Sequence, residues 1–230
     1  MCGRYTLRTN LNRVLAEFEA SARPEYQPVA RYNVAPAQQV AAVRQAEDGH
    51  RELVPLRWGL IPSWATDEKI AFSTINARAE TVADKLAFRS AFKRRRCLIV
   101  ADGYYEWQVT GGTEKKPTKQ PHLVQFPDGR PFGMAGLWER WTQAEKPVES
   151  CTIIVTTANA RLAGIHDRMP VILSREQYAA WLDPEFHSVE ALKEMLQPLP
   201  DDALAAVPVS TTVNSPKNDV PGCIELLVER

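Results

Sequence analysis

The segment CLIVADGYYEW, residues 97–107, is the strongest strand-forming stretch of the chain. Branched aliphatic and aromatic residues dominate it, and both classes favour extended backbone. The segment predicts a single strand over residues 97–107, and Glu106 stands out because a carboxylate is costly beside apolar neighbours. Glu106 is either a partly buried group with a raised pKa, usable as a general acid or base, or an edge-strand charge that faces water.

Further strand-like segments lie on both sides of this stretch, and Asp48-Gly49 predicts a hairpin turn between the first two. They are residues 39–44, 53–60, 122–126, 132–138, 152–157 and 171–173. Because strands do not alternate regularly with helices, a doubly wound parallel sheet is disfavoured. We expect an α+β fold: one domain over residues 1–230 with a curved, largely antiparallel, barrel-like β-sheet core and peripheral helices.

Capping residues predict where the helices begin. Asn10 or Thr9 caps a first helix, whose apolar residues recur at the spacing of one buried stripe. Ser174 followed three residues later by Gln177 is a capping box, and Ser188 opens the next helix. We place these helices at the periphery of the sheet.

A short helical stretch is predicted over Ala83–Phe92, and it runs into the basic segment Lys93-Arg94-Arg95-Arg96. Two interpretations of this segment are open. It is a track for a DNA backbone, or it is a helix end whose cations lie near the negative pole of the helix dipole, and we favour the helix end.

Length and composition exclude several classes of protein. The chain has 230 residues, of which 44% are hydrophobic and 24% charged, so it can bury a core and is neither disordered nor fibrous. No apolar run approaches the ~18 residues of a membrane span. The first residues, MCGRYTLRTN, lack the apolar stretch of a secretory signal. We therefore expect a cytoplasmic protein with no membrane partner.

Charge is balanced over the whole chain but not along it. Residues 1–120 contain 19 basic and 13 acidic side chains, whereas residues 121–230 contain 9 and 15. The asymmetry is compatible with one positive face on a neutral protein or with a surface mosaic of cancelling charges.

The cysteines and histidines argue against a metal site. Cys2, Cys97, Cys151 and Cys223 are far apart in the sequence, with no Cys-x-x-Cys pair, and the four histidines form no pair with ligand spacing. We expect no metal and no cofactor. Cys97 and Cys151 are interpreted as buried small hydrophobic residues, because each lies in or beside an apolar run.

Cys2 is different because Met1 is generally removed when a small residue follows it. A mature chain that begins with cysteine carries an α-amine with a pKa of ~7.7 to 8.0 next to a thiol with a pKa of ~8.5. The pair can act as an N-terminal nucleophile. It can also trap an aldehyde, since the amine forms a Schiff base and the thiol closes it to a thiazolidine. The alternative is an ordinary cysteine in a frayed terminus.

Four more residues are candidates for chemistry or anion binding. Arg4 places a cation beside the Cys2 thiol, and Asn76 and Arg78 lie on one face if their segment is extended. An amide can orient an amine or hold an oxyanion, and an arginine suits phosphate. His166 precedes the strand at 171–173 and can carry protons at neutral pH. Each also has a structural interpretation: an Asx turn, a surface ion pair or a solvated histidine.

Six motifs stand out along the chain: MCGRY (1–5), YNVAP (32–36), RWGLIPSW (57–64), INARAET (75–81), ADGYYEW (101–107) and IHDRMP (165–170). Taken together, they resemble the SOS response-associated peptidase family. The resemblance runs in family order from Cys2 to the segment VNSPKND at residues 213–219, so it covers nearly the whole chain. Members are abasic-site processing proteins that bind single-stranded DNA and crosslink to the aldehyde of an abasic site.

The resemblance implies a role for each candidate. Cys2 supplies the crosslinking amine and thiol, Asn76 positions the N-terminus, Glu106 relays protons, and His166 assists sugar ring opening or reversal. The resemblance also implies that Arg4, Arg78 and Arg168 contact phosphates. Trp64 and Trp107 stack on bases, and Thr156 contacts the DNA backbone. The implied partner is single-stranded DNA with abasic sites, bound by a monomer that is associated with the nucleoid when on DNA.

Two rival functions stay open. A thiol with a histidine and a glutamate can cleave an amide, including the protein's own N-terminus. Alternatively, the arginines and tryptophans bind damaged or modified DNA without any chemistry, and Cys2 is incidental.

Overall fold

The strand-forming segment at residues 97–107 is divided by a corner at Asp102. In the computed structural model, which describes residues 2–227, one strand covers Arg96–Ala101 and another covers Gly103–Thr113, and the two belong to different sheets. The prediction of a single strand is therefore wrong. Two tertiary contacts impose the corner: Asp102 binds residues 6–9, and a side chain at Gly103 would meet Leu123 Cδ1 at 2.8 Å.

The strands and helices of the described residues are numbered in chain order. The strands are β1 (Tyr5–Leu7), β2 (Ala20–Ala22), β3 (Arg31–Val34), β4 (Gln39–Gln45), β5 (Arg51–Trp58), β6 (Asn76–Arg78), β7 (Arg96–Ala101), β8 (Gly103–Thr113), β9 (Lys116–Gln125), β10 (Phe132–Trp141), β11 (Val148–Thr157), β12 (Arg168–Pro170), β13 (Ile172–Leu173) and β14 (Ala205–Pro208). The α-helices are α1 (Leu11–Phe18), α2 (Arg89–Arg94), α3 (Arg175–Leu182) and α4 (Val189–Glu194). Short 3-10 helices cover Glu68–Phe72, Thr211–Asn214 and Pro221–Ile224.

One sheet closes on itself. Its strands follow the order β5-β4-β7-β10-β11, with antiparallel neighbours, and β11 then pairs with β5 in parallel at Ser150 with Arg57 and Cys151 with Trp58. Strand β6 pairs in parallel with β11 at residues 153–155, next to the point at which β5 pairs with it. The expected α+β fold with a curved, largely antiparallel, barrel-like core is confirmed.

The second sheet brings the N-terminus to the end of the barrel. Its order is β14-β9-β8-β1-β3, and its paired strands are antiparallel. Tyr5 in β1 lies opposite Tyr104 in β8, and the Tyr105 N–H donates to the Arg4 carbonyl at 3.0 Å. Continuing this register places Gly3 opposite Glu106, so the sheet delivers the first residues of the chain to the Glu106 region.

The predicted helix starts are mostly confirmed. Asn10 caps α1 by accepting from the Arg13 N–H at 3.0 Å, Ser174 and Gln177 form the capping box of α3, and Ser188 caps α4. The stretch over Ala83–Phe92 is helical only from Arg89. Residues 83–88 form turns there, because their tertiary packing overrides a weak helical preference.

The basic segment at residues 93–96 is a helix end, the interpretation favoured above: Lys93 and Arg94 form the last turn of α2, and Arg95 caps it. Arg95 pairs with Glu139, and Arg96 is buried with its guanidinium donating to main-chain carbonyls, among them Trp181 O at 2.6 Å and Phe92 O at 2.9 Å. These contacts tie the end of α2 to α3.

Candidate functional site

Cys2 is buried, with no exposed surface. The pairing of β1 with β8 carries it into the interior, and its side chain joins the main hydrophobic core. Burial raises the pKa of the Cys2 thiol, and the nearby Glu106 carboxylate raises it further. The thiol is therefore protonated at neutral pH, and it needs a partner that accepts its proton before it can add to an electrophile. Met1, whose removal would free the α-amine, lies outside the described residues.

Glu106 is buried, with 5% of its surface exposed, so it is not an edge-strand charge that faces water. Residues 104 and 106 share one face of β8, which turns toward the core, whereas residues 105 and 107 face the other way. Burial raises the pKa of Glu106 to about 8. A carboxyl group with this pKa exchanges protons readily at the pH of the cell.

His166 stands in the loop between β11 and β12 and faces Glu106, with 4.0 Å between Nε2 and Oε2. The Arg168 backbone N–H donates to His166 Nδ1 at 3.0 Å. In the neutral ring this contact assigns the proton to Nε2, the nitrogen that faces Glu106. Burial lowers the pKa of His166, which favours the neutral ring although the exposed Asp167 carboxylate lies 2.9 Å from Nδ1.

Asn76 begins β6, beside the barrel strand β11. Its Nδ2 lies 3.5 Å from the Ile153 carbonyl, and its buried Oδ1 has no hydrogen-bond partner among residues 2–227. Strand β6 also confirms the extended segment that puts Asn76 and Arg78 on one face.

A narrow cleft lies over Glu106 and His166. Its lining combines these two side chains with a phenol, a guanidinium and apolar groups. The lining residues are Tyr104, Glu106, Val124, Leu162, Ile165, His166 and Arg168. Tyr104 is the residue that sequence reasoning missed, although the two-residue spacing from Glu106 on a strand was a sufficient signal.

Arg4 and Trp107 are held by contacts within the protein. Arg4 Nη1 donates to Asn33 Oδ1 at 2.9 Å and to the Val213 carbonyl at 3.1 Å, and its guanidinium lies 5.9 Å from the centre of the Trp107 ring. Trp107 Nε1 donates to Asn214 Oδ1 at 2.7 Å. Both side chains therefore fasten the N-terminal strand to the segment around residues 211–214, on the face of β8 opposite Glu106.

The remaining candidates lie along β6, β11 and β12. Arg78 is exposed, and Arg168 pairs with Glu80 at the edge of the cleft. Thr156 is buried in β11, one residue beyond Val155, which pairs with Arg78. Trp64 is not among the residues that line the cleft; its ring is 49% exposed, on a turn after β5.

Two further findings concern the described residues only. Among residues 2–227, no group of three or more His, Cys, Asp or Glu side chains is arranged to hold a metal ion. In the same range, no helix has the length and apolar character that crossing a bilayer requires.

The closed barrel and the cysteine, carboxyl and imidazole gathered at its end define a class that known proteins share. The family model "SOS response associated peptidase (SRAP)" matches residues 1–216. The chain belongs to this family.

Relatives cover the chain almost completely. The Bacillus subtilis proteins YoqW and YoaM, both named abasic site processing proteins, are 42% and 43% identical to it over 98% and 95% of this chain, and 99% and 95% of their own. The abasic site processing protein HMCES of Gallus gallus is 34% identical over 79% of this chain and 59% of its own. A crystal structure from Bacteroides thetaiotaomicron superposes with a TM-score of 0.87 at 26% identity, over 99% of this chain and 100% of that one.

Proposed function

We propose that this protein processes abasic sites by binding single-stranded DNA and forming a covalent thiazolidine crosslink through Cys2, after removal of Met1. One observation carries the proposal: the Cys2 thiol is buried next to a carboxyl group with a pKa of about 8, and an imidazole lies 4.0 Å from that carboxyl group. An N-terminal aminothiol with a proton donor and acceptor beside it is suited to condensation with an aldehyde.

The proton balance of this reaction suits Glu106. The Cys2 amine adds to the C1′ aldehyde of the opened sugar, and the protonated Glu106 donates a proton to the hydroxyl that leaves as water. The resulting carboxylate then accepts the thiol proton while sulfur adds to the imine carbon. Glu106 is regenerated, and the net products are thiazolidine and water. His166, with its Nε2–H toward Glu106, assists sugar ring opening or reversal, and Asn76 positions the N-terminus.

The proposed path of the strand follows the polar residues beside the cleft. Arg78, Arg168 and Thr156 lie along β6, β12 and β11 and are proposed to contact the DNA backbone, with Arg4 as a further phosphate contact. Trp64, half exposed, is the better placed of the two proposed stacking residues, since Trp107 is engaged with Asn214. We propose a monomer that works in the cytoplasm and on the nucleoid.

The rival peptidase function is less well supported. An amide is attacked by a thiolate, and burial raises the pKa of the Cys2 thiol instead of lowering it. A noncatalytic reader of damaged DNA would leave a buried carboxyl group of raised pKa without a task, and burying such a group is costly.

The test is denaturing gel electrophoresis after incubation with an abasic oligonucleotide. The mature protein should form an adduct with the abasic strand and none with the same strand lacking the lesion. Cys2→Ala should form no adduct, whereas Cys2→Ser should form an imine that survives only after borohydride reduction. An adduct unaffected by Cys2→Ala would refute the assignment.

Intact mass and peptide cleavage separate the rivals. The mass of the purified protein shows whether Met1 has been removed. Cleavage of peptides without any DNA adduct would favour the peptidase, and tight binding without an adduct would favour the reader.

A further inference from the structure

Tyr104 brings a second polar group to the site, on the same face of β8 as Glu106. Tyr104 is buried, with 1% of its surface exposed, and it lines the cleft together with Glu106 and His166. The hydroxyl oxygen has no hydrogen-bond partner among residues 2–227. A buried hydroxyl in a folded protein nearly always has a hydrogen-bond partner. The Tyr104 hydroxyl lacks one within the described residues, next to the Cys2 thiol and the Glu106 carboxyl group, so it is available to a substrate.

The neighbouring Tyr105 shows what a structural tyrosine looks like on this strand. It is equally buried, but it faces the opposite side of β8, and its hydroxyl donates to the Tyr32 carbonyl at 2.7 Å. Packing alone therefore does not require an open hydroxyl in this sheet.

We propose that Tyr104 is a further catalytic residue, whose hydroxyl donates a hydrogen bond to the C1′ oxygen of the opened abasic sugar. This inference rests on the proposed function. The same oxygen is the carbonyl oxygen of the aldehyde, then the hydroxyl of the carbinolamine, and then the oxygen of the departing water. Tyr104 stabilises the charge that develops on it, while Glu106 supplies and recovers the proton, so no proton is lost from the phenol.

The electrostatic surroundings of Tyr104 suit a donor that keeps its proton. Burial, followed by the charges of Cys2 and Glu106, raises the pKa of the Tyr104 phenol well above its ordinary value. The phenol stays neutral over the whole pH range in which Glu106 titrates. Tyr104 therefore only donates a hydrogen bond, and Glu106 carries the proton.

The experiment compares Tyr104→Phe with Tyr105→Phe under single-turnover conditions with abasic single-stranded DNA. Each substitution keeps the aromatic ring and removes one hydroxyl. Tyr104→Phe should lower the maximal rate of adduct formation ~10²-fold, the usual effect of losing one preorganised donor, with the half-saturating DNA concentration unchanged. Tyr105→Phe should leave the rate within ~2-fold, since its hydroxyl contacts no reacting atom, and should instead lower the melting temperature.

Two controls exclude a structural explanation. Affinity for a strand carrying a tetrahydrofuran abasic analogue, which has no aldehyde, should be the same for Tyr104→Phe and the unsubstituted protein. The melting temperature of Tyr104→Phe should be unchanged or higher, because the substitution removes an unpartnered buried hydroxyl.

The outcomes separate this inference from the proposed function. If the unsubstituted protein forms no adduct, the proposed function fails. If it forms the adduct and Tyr104→Phe does so at the same rate, only the role of Tyr104 is refuted. A rate loss accompanied by an equal loss of tetrahydrofuran-strand affinity, or one matched by Tyr105→Phe, would also refute it.

Discussion

At the scale of single residues, the unusual feature of the site is a carboxyl group held near its titration point. Glu106 is buried on the core-facing side of β8, and burial raises its pKa to about 8. His166 Nε2 lies 4.0 Å from it and belongs to a neutral ring, so the histidine offers a hydrogen-bond donor and not a compensating charge. Glu106 is therefore available in both protonation states in the pH range where an α-amine begins to be neutral.

Substitution of Glu106 should separate chemistry from binding. Glu106→Gln should slow adduct formation by ~10² to 10⁴-fold, the usual contribution of a general acid or base, with noncovalent affinity nearly unchanged. In the unsubstituted protein the rate should fall as the pH rises above about 8, because the acid form of Glu106 is lost. Glu106→Gln should lack this fall. Rates from quenched gels and affinities from fluorescence anisotropy test both statements, and an affinity that collapses together with the rate would make Glu106 structural.

The same pKa shift predicts how stability depends on pH. Between the ordinary value of 4.5 and about 8, the folded protein keeps a proton on Glu106 that the unfolded chain has released. This residue therefore lowers the free energy of unfolding as the pH rises through that window. Urea unfolding should show Glu106→Gln gaining stability relative to the unsubstituted protein between pH 5 and pH 8. The exposed Glu114→Gln should show no such trend, and a parallel trend would contradict the assignment.

At the scale of elements, two arginine-bearing segments are alternatives for the proposed path of the DNA. Arg78 is exposed on β6 and makes no ion pair within residues 2–227. Arg95, just after α2, is paired with Glu139 and also donates to Ser90 Oγ at 2.9 Å. An arginine already committed to a buried carboxylate is less available to a phosphate, so β6 is the better placed segment.

Salt dependence distinguishes the two segments. Each phosphate contact releases counterions, so Arg78→Ala should reduce the slope of log K against log salt by ~0.7, the value for single strands. Arg95→Ala should leave the slope unchanged, although it should lower stability by leaving Glu139 buried without its partner. Affinities measured over a range of salt concentrations test this, and the reverse result would move the DNA path to the segment after α2.

At the scale of the whole molecule, Asp102 joins the barrel to the sheet that carries the N-terminus. Its carboxylate accepts from Thr6 Oγ1 at 2.6 Å, from the Arg8 N–H at 2.6 Å and from the Thr9 N–H at 2.8 Å. The same carboxylate pairs with the Arg8 guanidinium at 3.1 Å. One side chain at the corner between β7 and β8 thus holds the segment that follows Cys2, and through it the position of Cys2.

Loss of the Asp102 carboxylate, the clamp that holds residues 6, 8 and 9, should lower the stability of the protein. Asp102→Asn replaces an acceptor oxygen by a donor that faces N–H groups, and it removes the partner of Arg8. The free energy of unfolding should fall by about 3 kcal/mol, at the scale of breaking a buried charged network. Asp128→Asn, at an exposed aspartate paired with Arg130, should change it by no more than about 0.5 kcal/mol. Denaturant titrations would compare them, and equal effects would show that Asp102 is not a clamp.

Local patterns were sufficient for the elements that depend on neighbouring residues. The caps at Asn10, Ser174 and Ser188 and the turn at Asp48-Gly49 were predicted because each involves contacts within a few residues. The division of residues 97–107 was not predictable in this way. Its cause is the contact of Asp102 with residues more than 90 positions away, which no local pattern encodes.

The sequence by itself determined the fold class and the family, because periodicity, composition and motif order are properties of the chain. Only the tertiary structure decided that Glu106 is buried and that His166 faces it. It also showed Arg4 and Trp107 engaged in internal contacts and brought Tyr104 into the cleft. The physical reason is that burial and pKa depend on the side chains packed around a group, and those come from strands that are far apart in the sequence and adjacent only in the folded sheet.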